Sequence, residues 1–160
     1  MLNVLIAEDE KYMLDILSKY FEREDFNVLK ANKGTEAIEI FEGNKIDLAI
    51  LDWIIPEIDG IDVCRYIKEN SNTKVLILTA KSQNDDEIEA LEFGADEYGK
   101  KPFAPRILII RAKKLINYGY KTTVGDITID ITKKRIYKGD KEIKLTKNEF
   151  ELLMVFVKNK

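Results

Sequence analysis

Five times along the first three quarters of this chain, a short run of β-branched and aliphatic residues is followed by a longer segment whose apolar residues recur three and four apart. Two of these runs, Leu48-Ala49-Ile50-Leu51 and Val75-Leu76-Ile77-Leu78, have no polar alternation at all, which marks strands covered on both faces. Cover on both faces requires crossover helices. The pattern therefore restricts residues 1–118 to a doubly wound α/β domain built on a five-stranded parallel sheet. Strands are expected at 2–7, 26–30, 48–51, 75–78 and, weakly, 97–99, and helices at 11–24, 35–42, 61–70, 85–93 and 105–117. Leu14, Leu17 and Phe21 on the first helix, with Ala37, Ile38 and Phe41 on the second, are expected to face the core.

After residue 117 the period changes. Tyr118-Gly119-Tyr120-Lys121 reads as a connector, and Gly125-Asp126-Ile127-Thr128-Ile129-Asp130 then alternates with period two. Lys138-Gly139-Asp140-Lys141 is a turn signal between two further strand-like pieces, so a short antiparallel segment is expected there. Thr146-Lys147-Asn148-Glu149 is a capping-box pattern ahead of an apolar helix carrying Phe150, Leu153, Met154 and Val157. Charge divides at the same place. Residues 1–120 hold 16 Lys+Arg against 23 Asp+Glu, and residues 121–160 hold 10 against 6. An acidic body with a basic tail suggests a second unit with a different partner, nucleic acid first, although a merely solvated basic surface reads the same way. The expected division is 1–118, a linker at 119–122, and 123–160.

Composition removes whole classes of chemistry. The chain has no His, which rules out Ser-His, Cys-His and His-metal sites, and its single Cys64 rules out an intramolecular disulfide or a cysteine zinc cluster. Hydrophobic residues at 45% of 160 supply a real core. No apolar run approaches the roughly 20 residues of a membrane helix, and no basic leader opens the chain, so a cytoplasmic location without membrane contact is expected.

In an open parallel sheet, reactive groups gather beyond the carboxyl ends of the strands. The first strand runs into Glu8-Asp9-Glu10, the third into Asp52, the fourth into Thr79, and the fifth is followed by Lys101-Pro102. Like charges about 4 Å apart repel by about 4 kcal/mol at an effective dielectric of 20, so Glu8, Asp9 and Asp52 need a compensating cation to converge. Oxygen-only donors point to Mg²⁺. The set suits phosphoryl transfer: Asp52 is an already ionised nucleophile, and Mg²⁺, Lys101 and the Thr79 hydroxyl can meet the equatorial oxygens.

Asp52-Trp53-Ile54-Ile55-Pro56-Glu57-Ile58-Asp59-Gly60, the Glu8-Asp9 pair, Thr79-Ala80 and Gly94-Ala95-Asp96-Glu97-Tyr98-Gly99-Lys100-Lys101-Pro102-Phe103 together resemble the receiver domain of bacterial two-component response regulators. The resemblance implies a flavodoxin-like fold with strand order 2-1-3-4-5, and Asp52 as acceptor of a phosphoryl group from a sensor histidine kinase. It also implies Mg²⁺ held by Glu8, Asp9, Asp52 and the backbone carbonyl of Ile54. Thr79 and Tyr98 would form the switch, and Lys101, followed by a cis peptide before Pro102, would contact the phosphoryl group. The tail, through Leu145-Thr146-Lys147-Asn148-Glu149-Phe150, resembles the start of an OmpR/PhoB-type winged-helix DNA-binding domain. That implies promoter DNA as partner of the complete effector domain. Its recognition helix and wing have no counterpart in these residues, so this chain is not expected to read a DNA sequence. A homodimer through the fourth helix, fifth strand and fifth helix is implied too. Asp96, Glu97 and Arg111 carry the charges expected there, whereas Glu87 and Ile107 replace a basic and an acidic residue.

Rival readings are weaker. Haloacid-dehalogenase-type phosphatases share Asp, Mg²⁺, Thr and Lys but need a second Asp two residues after the nucleophile, where this chain has Ile54. A flavodoxin-like cofactor carrier needs a hydroxyl- and glycine-rich loop after the first strand, where Glu8-Asp9-Glu10 would repel a phosphate. A stand-alone signalling module acting by protein contact is the remaining alternative. A phosphoacceptor rather than a turnover enzyme is therefore expected.

Overall fold

The structure, a computed structural model, describes residues 1–80, 84–118, 121–130 and 134–158. Strands β1 (Asn3–Ala7), β2 (Asn27–Ala31), β3 (Leu48–Asp52), β4 (Lys74–Thr79) and β5 (Glu97–Lys100) alternate with helices α1 (Lys11–Arg23), α2 (Gly34–Gly43), α3 (Gly60–Asn70), α4 (Asn84–Glu92) and α5 (Pro105–Leu115). Every pairing in this sheet is parallel, in the order β2-β1-β3-β4-β5. The doubly wound α/β sheet and its implied order are both present.

The unbroken apolar runs sit at the centre of the sheet. Leu48 to Leu51 and Val75 to Leu78 are buried on both faces, one covered by α1 and α5, the other by α2, α3 and α4. Helix α1 buries Leu14, Leu17, Ser18 and Phe21, and the Ser18 hydroxyl donates to the Leu14 carbonyl at 2.6 Å, which satisfies it inside the core. Ala37 of α2 is fully buried with Ile38 and Phe41 half-buried beside it. Helix α1 closes through Asp25 and α5 is followed by Asn117, both left-handed, at φ 65° and 54°. This turn takes α5 two residues short of its expected end.

The chain divides into two compact units, Met1–Ile116 and Asn117–Lys160. The second is a four-stranded antiparallel sheet, β6 (Lys121–Val124), β7 (Ile127–Asp130), β8 (Arg135–Lys138) and β9 (Lys141–Ile143), followed by helix α6 (Lys147–Lys158). Strand β6 corrects the expected connector and the linker at 119–122. Val124 lies opposite Ile127 across a two-residue Gly125-Asp126 turn, with Gly125 at φ 62°, and this hairpin recruits Lys121 and Thr122 into the sheet. With Val124 as its single aliphatic residue, the strand leaves no hydrophobic pattern to read. Residues 119 and 120 of the expected linker lie outside the described residues, as do the side chains of Glu87 and Val157. Gly139-Asp140 makes the second tight turn, as expected, with Lys138 opposite Lys141. Ile129, Ile136, Phe150 and Met154 form this unit's core. Among the described residues no helix is long and apolar enough to cross a membrane.

Candidate functional site

Strand order reverses around β1, which pairs with β2 on one side and β3 on the other. Ala7 stands opposite Leu51, so Glu8, just past the end of β1, and Asp52, the last residue of β3, fall side by side at the carboxyl edge of the sheet. Carboxylate oxygens of Glu8, Asp9 and Asp52 lie within 4.8 Å of one another. Lys101 reaches in from beyond β5, its Nζ 3.0 Å from Glu8 Oε1 and 3.0 Å from Asp52 Oδ2. The Lys101 backbone N–H donates to the Thr79 carbonyl at 2.8 Å, which ties that residue to the end of β4, and the Lys101-Pro102 peptide is cis.

One ammonium does not balance three carboxylates. Glu8 is 3% exposed, and its Oε2 is buried without a hydrogen-bond partner among the described residues. Burial first, and then the facing Asp52, push the Glu8 carboxyl well above the usual carboxylate range. At Lys101 burial works against the charge, but hydrogen bonds from its ammonium to Glu8 and Asp52 outweigh it and raise its pKa. An orphaned buried oxygen costs about 1–3 kcal/mol, more when charged. That oxygen, in an all-oxygen donor set, fits a hard divalent cation.

The remaining expected residues take different positions. Ile54 borders the cluster through its N–H, 3.4 Å from Asp52 Oδ1, with its side chain pointing largely into solvent. Thr79 is fully buried at the carboxyl end of β4. Tyr98 stands on β5 opposite Ile77, buried in the cluster that also holds Ala90 and Ala95. Trp53, in the loop between β3 and α3, is buried, and the chain folds back there so that Gly60 N–H donates to the Trp53 carbonyl at 2.8 Å. Burial, then Asp96, push the Cys64 thiol up to about 12, which keeps it protonated and unreactive.

Asp96 is occupied within its own chain. Its Oδ2 accepts from Lys68 Nζ at 2.9 Å and from the Val75 N–H at 2.8 Å, and Lys74 approaches Oδ1 at 3.9 Å. Glu97 and Arg111 instead line a groove of about 490 Å³ between β5 and α5, floored by Leu76, Leu78 and Leu108.

Sequence reasoning passed over the surroundings of the loop after Asp52. Glu57 holds a left-handed backbone at φ 73°, the Thr35 hydroxyl donates to its Oε2, and Lys33 lies 3.7 Å from its Oε1. The Pro56 to Gly60 turn signal was the one local hint, since nothing in sequence ties that turn to residues 33–35.

A parallel sheet with an acidic pocket and a lysine at its switch point defines the class. The chain belongs to the response regulator family, residues 4–113 matching its receiver domain. It is 34% identical to the transcriptional regulatory protein SrrA of Staphylococcus aureus over 168 residues, covering 97% of this chain and 70% of SrrA. It is also similar to the solved structure of DrrB, a Thermotoga maritima OmpR/PhoB homolog, with 30% identity and a TM-score of 0.69 over 99% of this chain and 73% of DrrB. The receiver domain of the Francisella response regulator 1452 is 35% identical with a TM-score of 0.70, covering 73% of this chain and 98% of that domain.

Proposed function

We propose that this response regulator accepts a phosphoryl group on Asp52 from a sensor histidine kinase and passes the change to a DNA-binding output. The observation that carries the reading is the convergence of Glu8, Asp9 and Asp52 with Lys101 bridging two of them. Glu8, Asp9, Asp52 and the Ile54 carbonyl are the groups that would hold Mg²⁺. Bound there, Mg²⁺ offsets charge on the cluster and on the equatorial oxygens of the transferring group. An Asp52 carboxylate oxygen forms the bond to phosphorus as the bond from phosphorus to the kinase's histidine nitrogen breaks, and no base is needed. Lys101, already at Asp52, donates to the incoming oxygens, with the Thr79 hydroxyl as a second donor. The phosphoryl group, carrying about −1.5 to −2 in place of the single charge of the Asp52 carboxylate and bringing three more oxygens, biases Thr79 and Tyr98 between two arrangements, which alters the surface of α4, β5 and α5.

Labelling tests the central step. Acetyl phosphate with Mg²⁺ is expected to add one phosphoryl group by intact mass, and Asp52→Asn to remove it. Full labelling of Asp52→Asn would exclude Asp52, and steady turnover of a phosphomonoester would favour the phosphatase.

Output through DNA is supported by the names of the relatives, a transcriptional regulatory protein and an OmpR/PhoB homolog, and by the basic residues 121–160. The homodimer through α4, β5 and α5 is supported by exposed Ile88, Leu91, Ile107 and Ile110 and by Glu97 and Arg111 along the groove. With Asp96 engaged internally, apolar contact carries more of that interface than ion pairing does.

A further inference from the structure

The loop from β3 to α3 is pinned at two points. At the far end, a Cβ built on Gly60 would stand 2.0 Å from the Asp52 carbonyl oxygen, so the first residue of α3 lies directly against the end of β3. In the middle, the first residue of α2 presses on the loop. Gly34 N–H donates to the Pro56 carbonyl at 3.0 Å, and a Cβ there would stand 2.1 Å from the Ile58 carbonyl oxygen. Ile54 lies between Asp52, which Gly60 abuts, and the Pro56 carbonyl that Gly34 holds.

Glu57 completes the second one. Its φ of 73° is a conformation that side chains disfavour and glycine accepts, so a residue kept there needs a reason. The reason available is its carboxylate, which receives the Thr35 hydroxyl on one oxygen and faces Lys33 Nζ at 3.7 Å on the other. Lys33 and Glu57 side chains are 44% and 48% exposed, so this pair adds little to global stability. It can still decide where the loop rests.

We propose that Glu57, held by Thr35 and Lys33 at the start of α2, is a positioning residue for the Asp52–Ile54 segment and its cation-binding groups. The proposal rests on reading the Glu8, Asp9 and Asp52 cluster as an Mg²⁺ site. Groups that orient metal ligands from outside commonly change affinity by about tenfold or more when removed.

The test compares wild type with Glu57→Ala, Glu57→Gly, Thr35→Val and Thr35→Ser in the full chain. Two readouts apply: Trp53 fluorescence during MgCl₂ titration, and the thermal midpoint with and without MgCl₂. Both Glu57 variants and Thr35→Val are expected to raise the half-saturating Mg²⁺ concentration roughly tenfold, while Thr35→Ser, which keeps the hydroxyl, stays near wild type. Glu57→Gly is the decisive variant. It relieves the left-handed backbone, so its metal-free thermal midpoint should hold or rise while its Mg²⁺ affinity falls. Wild-type Mg²⁺ affinity in Glu57→Gly and Thr35→Val would overturn the clamp and leave the metal reading standing. No Mg²⁺ response by wild type in either readout would overturn the metal reading and the clamp with it.

Discussion

Position 60 shows how little freedom the Asp52 segment has. Any side chain there meets the Asp52 backbone at 2.0 Å, and backbone in a central strand cannot give way as the tip of a flexible side chain can. Gly60→Ala is therefore expected to destabilise the protein by about 1–3 kcal/mol, the usual cost of overpacking. Urea unfolding monitored by circular dichroism measures this. The residue displaced is Asp52 itself, so phosphoryl labelling by acetyl phosphate should drop as well. Wild-type stability and labelling in Gly60→Ala would show that the β3–α3 junction is looser than its geometry.

At the scale of one element, α6 depends on its first turn. Thr146 Oγ1 accepts from the Glu149 N–H at 3.2 Å while Glu149 Oε1 accepts from the Thr146 N–H at 3.1 Å, a reciprocal capping box. The Thr146 backbone N–H, then its hydroxyl, hold the Glu149 carboxyl below its ordinary value. A lowered pKa means the contribution of Glu149 is present at neutral pH and is lost as pH falls through that lowered value. Helix α6 packs Phe150 and Met154, with the half-buried Leu153, on the sheet and leaves Leu152 and Val155 exposed. Thr146→Ala is expected to cost about 1 kcal/mol, and Thr146→Ser close to nothing. Amide hydrogen exchange of α6 measures the difference, and equal protection in wild type and Thr146→Ala would remove the cap from the account of this helix.

The whole molecule is two units with separate cores. Glu8, Asp9, Asp52, Thr79, Tyr98 and Lys101 all lie within Met1–Ile116, as do the α2 residues that pin the β3–α3 loop. A fragment of residues 1–116 is therefore expected to fold, to take one phosphoryl group from acetyl phosphate with Mg²⁺, and to be labelled at a rate within about twofold of the full chain. Failure of the fragment to label, when the full chain does, would show that the second unit supports the site.

Short-range pattern encodes part of this protein directly. Strands buried on both faces need unbroken aliphatic runs, so β1, β3 and β4 were visible, and their ends pointed to Glu8, Asp9 and Asp52. The Gly-Asp turn at 139–140 and the capping box were legible for the same local reason. Tertiary structure decided what depends on partners distant in the chain. Thr35 finds Glu57 across 22 residues and Lys68 finds Asp96 across 28, and a charged residue looks the same in sequence whether solvent or such a partner receives it. Strand β6 exists because β7 supplies its hydrogen-bond partners across a hairpin, not because its own residues, Lys121-Thr122-Thr123-Val124, demand burial. Trp53 is buried where the chain returns at Gly60, a closure that its own neighbours do not encode.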